Sequence, residues 1–136
     1  MMHTPLRSAA LAGALMLTLS AAVGAATIRL VPLAGQTAAS SITGCNVPSA
    51  PASITAAAPA DLPAIASGQN VTGITAVRIA LDPRGYLTRA SVLSSSGNRW
   101  IDRAAVHAAQ ASSFRAEVRD CAGVGGEYAF VVDFTR

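Results

Sequence analysis

Ser94, Ser95 and Ser96 precede Asp102 and His107, and together these residues hold the letters of a hydrolytic triad. A nucleophilic serine needs a base within hydrogen-bond reach and a sharp turn that exposes its oxygen. Neither is written here. No Gly-x-Ser-x-Gly occurs, and the serines read as loop and cap residues. His107 stands five residues after Asp102, which on a helix turns it to another face, so it reads as a solvated helix residue. Gly123-Val124-Gly125-Gly126 leads into a strand pattern rather than a helix and lacks the donor-rich helix start that cradles phosphate. Of the two cysteines and two histidines, His3 lies in the leading segment, and the three that remain are too few for a four-ligand metal site. No catalytic residue, metal or cofactor is assigned, and a small secreted enzyme is kept only as a distant alternative.

The cysteines take their meaning from the start of the chain. Residues 1–26 read as a secretory leader: a positive segment ending at Arg7, an apolar run from Ala9 to Val23, and Gly24-Ala25-Ala26 for cleavage. An uncleaved membrane anchor is the alternative, because the apolar run approaches the lower limit for a span. In an exported chain, Cys45 and Cys121 form the one pair two cysteines allow, and a structural disulfide is expected. Ile42-Thr43-Gly44-Cys45 resembles a lipidation box, but that chemistry needs the cysteine directly after the apolar run. Here Arg29, Pro32 and Gln36 intervene.

The formal charge of the 136-residue chain is +3, carried by arginine without any lysine. Dispersed charge of this size does not suggest nucleic acid or a membrane-surface patch. Half the residues are hydrophobic but only 4% are aromatic, which points to one small domain with an alanine-rich core.

The elements follow from periodicity. Residues 27–58, rich in Ala, Ser, Thr and Pro, read as an irregular arm in which only Ile28 to Val31 suits a short strand. Asp61 and Pro63 start a short helical turn. Val77, Ile79 and Leu81 alternate with Ala76, Arg78 and Ala80, giving a half-buried strand. Asp82-Pro83-Arg84-Gly85 is a turn, and a second strand makes it a hairpin. In the second strand Leu87 and Ser91 share one parity, while Ala90 and Val92 take the other. Asn98 caps a helix running to Ser113, whose face of Ile101, Ala104, Ala105, Ala108 and Ala111 lets it lie close on a sheet. Trp100 is expected to cover one end of the core. Arg115 to Gly126 reads as an irregular connection. Tyr128 to Phe134 is the last strand, with Tyr128, Phe130, Val132 and Phe134 inward and Ala129, Val131 and Asp133 outward.

The expected fold is α+β: a three-stranded antiparallel sheet with one packed helix in the order β-β-α-β, preceded by the helical turn. Residues 59–136 form the domain. The last strand reads as a sheet edge that nothing in the chain follows to cover, and such an edge accepts an extended peptide by strand addition. The same edge offers a route to self-association.

Gly73, Val77, Ile79, Leu81, Asp82-Pro83-Arg84-Gly85, Ala90-x-Val92, Ser95-Ser96-Gly97, Ile101-Asp102-x-x-Ala105-Val106 and Phe114, closed by an aromatic strand, resemble the C-terminal domain of TonB, the periplasmic energy transducer. Relatives usually carry a proline two residues after the Phe, where this chain has Ala116. The resemblance implies the same fold and a non-catalytic periplasmic module. It puts Leu87, Ala90 and Val92 all inward, which a β-bulge near Thr88-Arg89 reconciles with their parity. It also implies as partner an extended segment of an outer-membrane or other envelope protein, held along the edge of Tyr128, Ala129, Phe130, Val131, Val132, Asp133 and Phe134. A short membrane-anchored transducer is the alternative. The arm has no Pro-rich repeat, and its free length, about 55 Å when extended, is short for a crossing of the periplasm.

Overall fold

Leu81 and Leu87 face each other across the turn that starts the sheet. The computed structural model describes residues 26–33 and 44–135, so the expected leader up to Ala25, and Ile42 and Thr43 of the lipidation box, lie outside the described residues. Strands β3 (Ile74–Leu81) and β4 (Leu87–Ser94) form the expected hairpin. Gly85 closes its turn at φ 91°, and its N–H donates to the Asp82 carbonyl at 3.0 Å. One Asp82 carboxylate oxygen accepts the N–H groups of Arg84 and Tyr86.

The bulge falls where the alternation breaks. Ala80 pairs with Arg89 and Leu81 with Leu87, so Thr88 is the extra residue. Leu87, Ala90 and Val92 thereby stand opposite Leu81, Ile79 and Val77. A second irregularity sets Ala76 against Ser94 and Val77 against Val92, leaving Leu93 over.

Helix α2 (Arg99–Ala111) begins where Asn98 accepts the Trp100 N–H through its side chain at 2.9 Å. Ile101, Ala104, Ala105, Ala108 and Ala109 are buried against the sheet. Alanines on that face bring the helix close to Val77, Ile79, Tyr128, Phe130 and Val132, which with Leu81 form the core. Phe114 meets Phe130 edge to face at 6.0 Å. Trp100 is half-buried, with the Arg99 and Arg103 guanidinium groups over its ring, rather than sealing the core.

Four expectations are corrected. The main sheet has four strands rather than three, in the order β1-β8-β3-β4, where β1 is Thr27–Pro32 and β8 is Gly126–Asp133. The arm holds more than the one short strand expected at Ile28 to Val31: besides β1 it supplies β2 (Ser53–Ala56), which pairs with β5 (Ser113–Arg115). The helical turn α1 (Ala64–Ser67) takes Pro63 as its N-cap without a side-chain cap, in place of Asp61. The connection after α2 holds, besides β5, a hairpin of β6 (Glu117–Arg119) and β7 (Ala122–Val124). Its corner residues Asp120 and Cys121 both have positive φ, 50° and 64°, the backbone of a two-residue turn that follows the strand twist.

That corner presents Cys121 to Cys45, and the two form the expected disulfide with Cα atoms 5.7 Å apart, an ordinary span for the bond. The lipidation reading of Cys45 is displaced, since its sulfur is already bonded. Ala50 and Val118 exchange two backbone hydrogen bonds beside the bridge, at 3.0 and 2.8 Å. The arm is thus fastened to the domain at three places beyond β1.

Candidate functional site

The last strand is the residue set from which a binding edge was expected, and its neighbours decide what it offers. The strand is not an edge. β8 lies between β3 and β1, antiparallel to both. Tyr128, Phe130 and Val132 point inward and are buried, as their alternation requires. Ala129 and Val131 lie on the opposite face and are also largely covered, whereas Asp133 and Phe134 are half-buried.

The backbone directions divide the strand's two sides. Phe134 donates its N–H to Gly73 at 2.9 Å, on the β3 side. Glu127 accepts the Leu33 N–H at 3.3 Å, on the β1 side. Because backbone groups alternate along a strand, Ala129, Val131 and Asp133 direct theirs toward β1, facing Val31, Arg29 and Thr27. Ile28 and Leu30 take the inward parity and pack, half-buried, on the core beside Val132 and Phe130.

β1 is therefore a strand laid on the sheet's flank. Its own outer side carries the backbone groups of Ile28, Leu30 and Pro32, and Pro32 has no N–H to offer there. At the other border, β4 is bulged twice, at Thr88 and Leu93, which disturbs the regular row a further strand would need. Both outer borders of the four-stranded sheet are thus blunted.

Charge adds to the β1–β8 pairing. The Asp133 carboxyl lies below its usual range, held by the Thr135 hydroxyl and backbone N–H, with a smaller contribution from the positive charge of Arg29. Arg29 is diagonal to Asp133 on the same face.

A second cluster sits at the start of α2. Asp102 accepts hydrogen bonds from the Thr75 hydroxyl at 2.6 Å and from the Ser96 N–H and hydroxyl, both at 2.9 Å. Its other oxygen accepts from the Ser95 hydroxyl at 2.5 Å. Burial pushes the Asp102 carboxyl up, but these four donors outweigh it and bring the group down to about 2. The residues singled out for hydrolysis are here joined, yet in the wrong sense: Ser95 donates to an aspartate, and His107 is exposed elsewhere on α2. No hydrogen bond joins His107 to either among the described residues. The cluster pins the β4–α2 loop to β3 and to the helix start.

Among the described residues no group of three His, Cys, Asp or Glu side chains could hold a metal ion. An open groove of about 670 Å³ runs between Ile28, Phe134 and the segment from Ala57 to Leu62. A smaller one of about 420 Å³ is lined by Leu62, Trp100, Arg103 and His107. The sequence reading placed a short strand at Ile28 to Val31 but missed its pairing with β8, and it missed the Asp102 cluster. The strand itself was legible in the alternation of Ile28 and Leu30 with Arg29 and Val31, ended by Pro32; its place beside β8 and the approach of Thr75 to Asp102 are tertiary and not shown by local spacing.

The model of the family described as Gram-negative bacterial TonB protein C-terminal matches residues 58–135. That span contains β3, β4, α2 and β8 and excludes β1. No curated protein and no solved structure matches the chain.

Proposed function

Since the chain belongs to the family of Gram-negative bacterial TonB protein C-termini, we propose that it is a non-catalytic periplasmic module linked to transport across the outer membrane. It engages an extended segment of an envelope protein by adding that segment as a strand to the sheet of β3, β4 and β8. Its contact groups are the backbone N–H and C=O of Ala129, Val131 and Asp133.

One observation carries this reading. The family segment by itself supplies three strands with β8 at the border, and a six-residue strand from outside that segment lies along that border. The border thus has the pitch, register and flanking apolar surface that an added strand needs. Backbone bonding gives such a site affinity, while alternate side chains give it choice. Residues 1–26 act in this reading as the export leader. Among the described residues no helix is long and apolar enough to cross a membrane.

The test is photocrosslinking in intact cells, with a photoreactive residue placed at Thr135 beside the border or at Gln110 on the exposed side of α2. An adduct with a terminal segment of an outer-membrane protein, formed from Thr135 and not from Gln110, is the expected outcome. Adducts from Gln110 alone would move the site off the sheet and overturn the proposal.

A further inference from the structure

The border assigned to the partner is occupied by the chain itself. β1 pairs with β8 over six consecutive residues, from Thr27 opposite Asp133 to Pro32 opposite Tyr128. On the proposed function, a partner and β1 require the same backbone groups of Ala129, Val131 and Asp133. We propose that β1 is a built-in stand-in for the partner strand. The incoming segment must displace it, and the side chains of β1 show what the border selects.

Three features make β1 the strand that yields. It borders one strand only, whereas β8 and β3 each border two. Its side chains are half-buried or exposed, with Val31 40% exposed, whereas Phe130 and Val132 beneath it are fully buried. The main contacts of α2 are with β3, β4 and β8, so the helix secures chiefly those three strands. A strand of this kind opens at the low end of the range of local stabilities.

The bare border, in contrast, is costly. Without β1, three residues of β8 would present unpaired backbone groups beside the flank of Phe130 and Val132. The site therefore exchanges one strand for another rather than standing empty. β1 is also favoured by its tether: Cys45, downstream of Pro32 in the chain, is joined to the domain through Cys121. A short tether gives an effective concentration in the millimolar range. A partner at micromolar concentration prevails only with better side-chain contacts or when its own delivery is local.

The selected chemistry follows from the register. The positions of Ile28 and Leu30 face the core and take aliphatic side chains two residues apart. The position of Arg29 lies on the opposite face, diagonal to Asp133, and takes a basic residue. The expected partner segment is aliphatic-basic-aliphatic, running antiparallel to β8.

The probe is a fluorescent peptide of sequence Ala-Thr-Ile-Arg-Leu-Val-Pro, titrated by anisotropy against the oxidised mature chain, from Thr27 on. It is compared with Ile28→Asn/Leu30→Asn, which weakens β1 on the core, and with Arg29→Pro. The latter deletes a ladder N–H facing Val131 without touching the core, and serves if the first variant fails to fold. Either loosened chain should bind the probe about tenfold or more tightly than the parent, since masking lowers apparent affinity by the fraction of free sites. A probe carrying Glu in place of Arg should bind more weakly. Equal affinity for parent and loosened chains, or no binding to a folded loosened chain, overturns the displacement proposal. An envelope peptide that shifts β8 resonances while β1 stays paired would overturn it too, yet leave the module's binding role standing. Absence of any peptide binding to β8 in every chain would remove that role as well.

Discussion

Asp102 shows how one carboxylate can be read two ways. In the sequence it favours the positive end of the helix dipole. In the structure it also gathers Thr75, Ser95 and Ser96. Its carboxyl falls from 3.8 to about 2 despite the opposing effect of burial. A depressed carboxyl stabilises the fold above its unfolded pKa, and that contribution is lost as pH falls through the folded value. Because the group is only part-buried and partly screened by water, the contribution is discounted to about 1 kcal/mol. Asp102→Asn should therefore cost about 1 kcal/mol in urea unfolding at pH 7. The gap from the parent should narrow between about pH 4 and pH 2, the window set by the two values. Gly85 carries a second residue-scale prediction. A Cβ there would stand 2.8 Å from the Phe114 carbonyl oxygen and 2.9 Å from the Ala116 nitrogen, at φ 91°. Gly85→Ala should cost about 2 kcal/mol in the same assay, from backbone strain and the close approach together.

At the scale of elements, the hairpin and the capped helix were legible because local rules specify them. Pro83 and Gly85 fix the turn and Asn98 caps α2, while the extra residue at Thr88 was expected because the family resemblance puts Leu87 and Ala90 on one face. The short strands after α2 were not legible. β5, β6 and β7 have three residues each, too few for a period to declare itself, and β5 and β6 also lean on partners distant in sequence. β5 pairs with β2 of the arm, and Val118 of β6 bridges to Ala50. The disulfide links the same two regions across a separation of 76 residues. Closing a loop of that size is worth about 4 kcal/mol in the chain-entropy model. Cys45→Ser/Cys121→Ser should lower stability by up to about that amount. Thermal unfolding of the oxidised parent, the reduced parent and the double variant measures it, and the last two should agree.

The whole molecule is the family's sheet and helix with an arm wrapped back onto it. Fold class and core were readable because Val77, Ile79, Leu81, Tyr128, Phe130 and Val132 alternate strictly, and the alanines of α2 repeat at helical spacing. What periodicity does not show is strand order. Tyr128 to Phe134 reads equally well as a border or an interior strand, since both bury one face. The position of β8 between β3 and β1 is decided by a hexapeptide nearly a hundred residues upstream. The central claim, that this border of β8 is the one a partner strand occupies, is tested most directly by nuclear magnetic resonance. The isotope-labelled chain would be saturated with an unlabelled peptide from a terminal segment of an outer-membrane transporter. Interstrand contacts from the peptide to Ala129, Val131 and Asp133, with loss of those from Arg29 and Val31, are predicted. Peptide contacts confined to β4, α2 or the groove beside Trp100, with the β1–β8 pairing intact, would contradict the account.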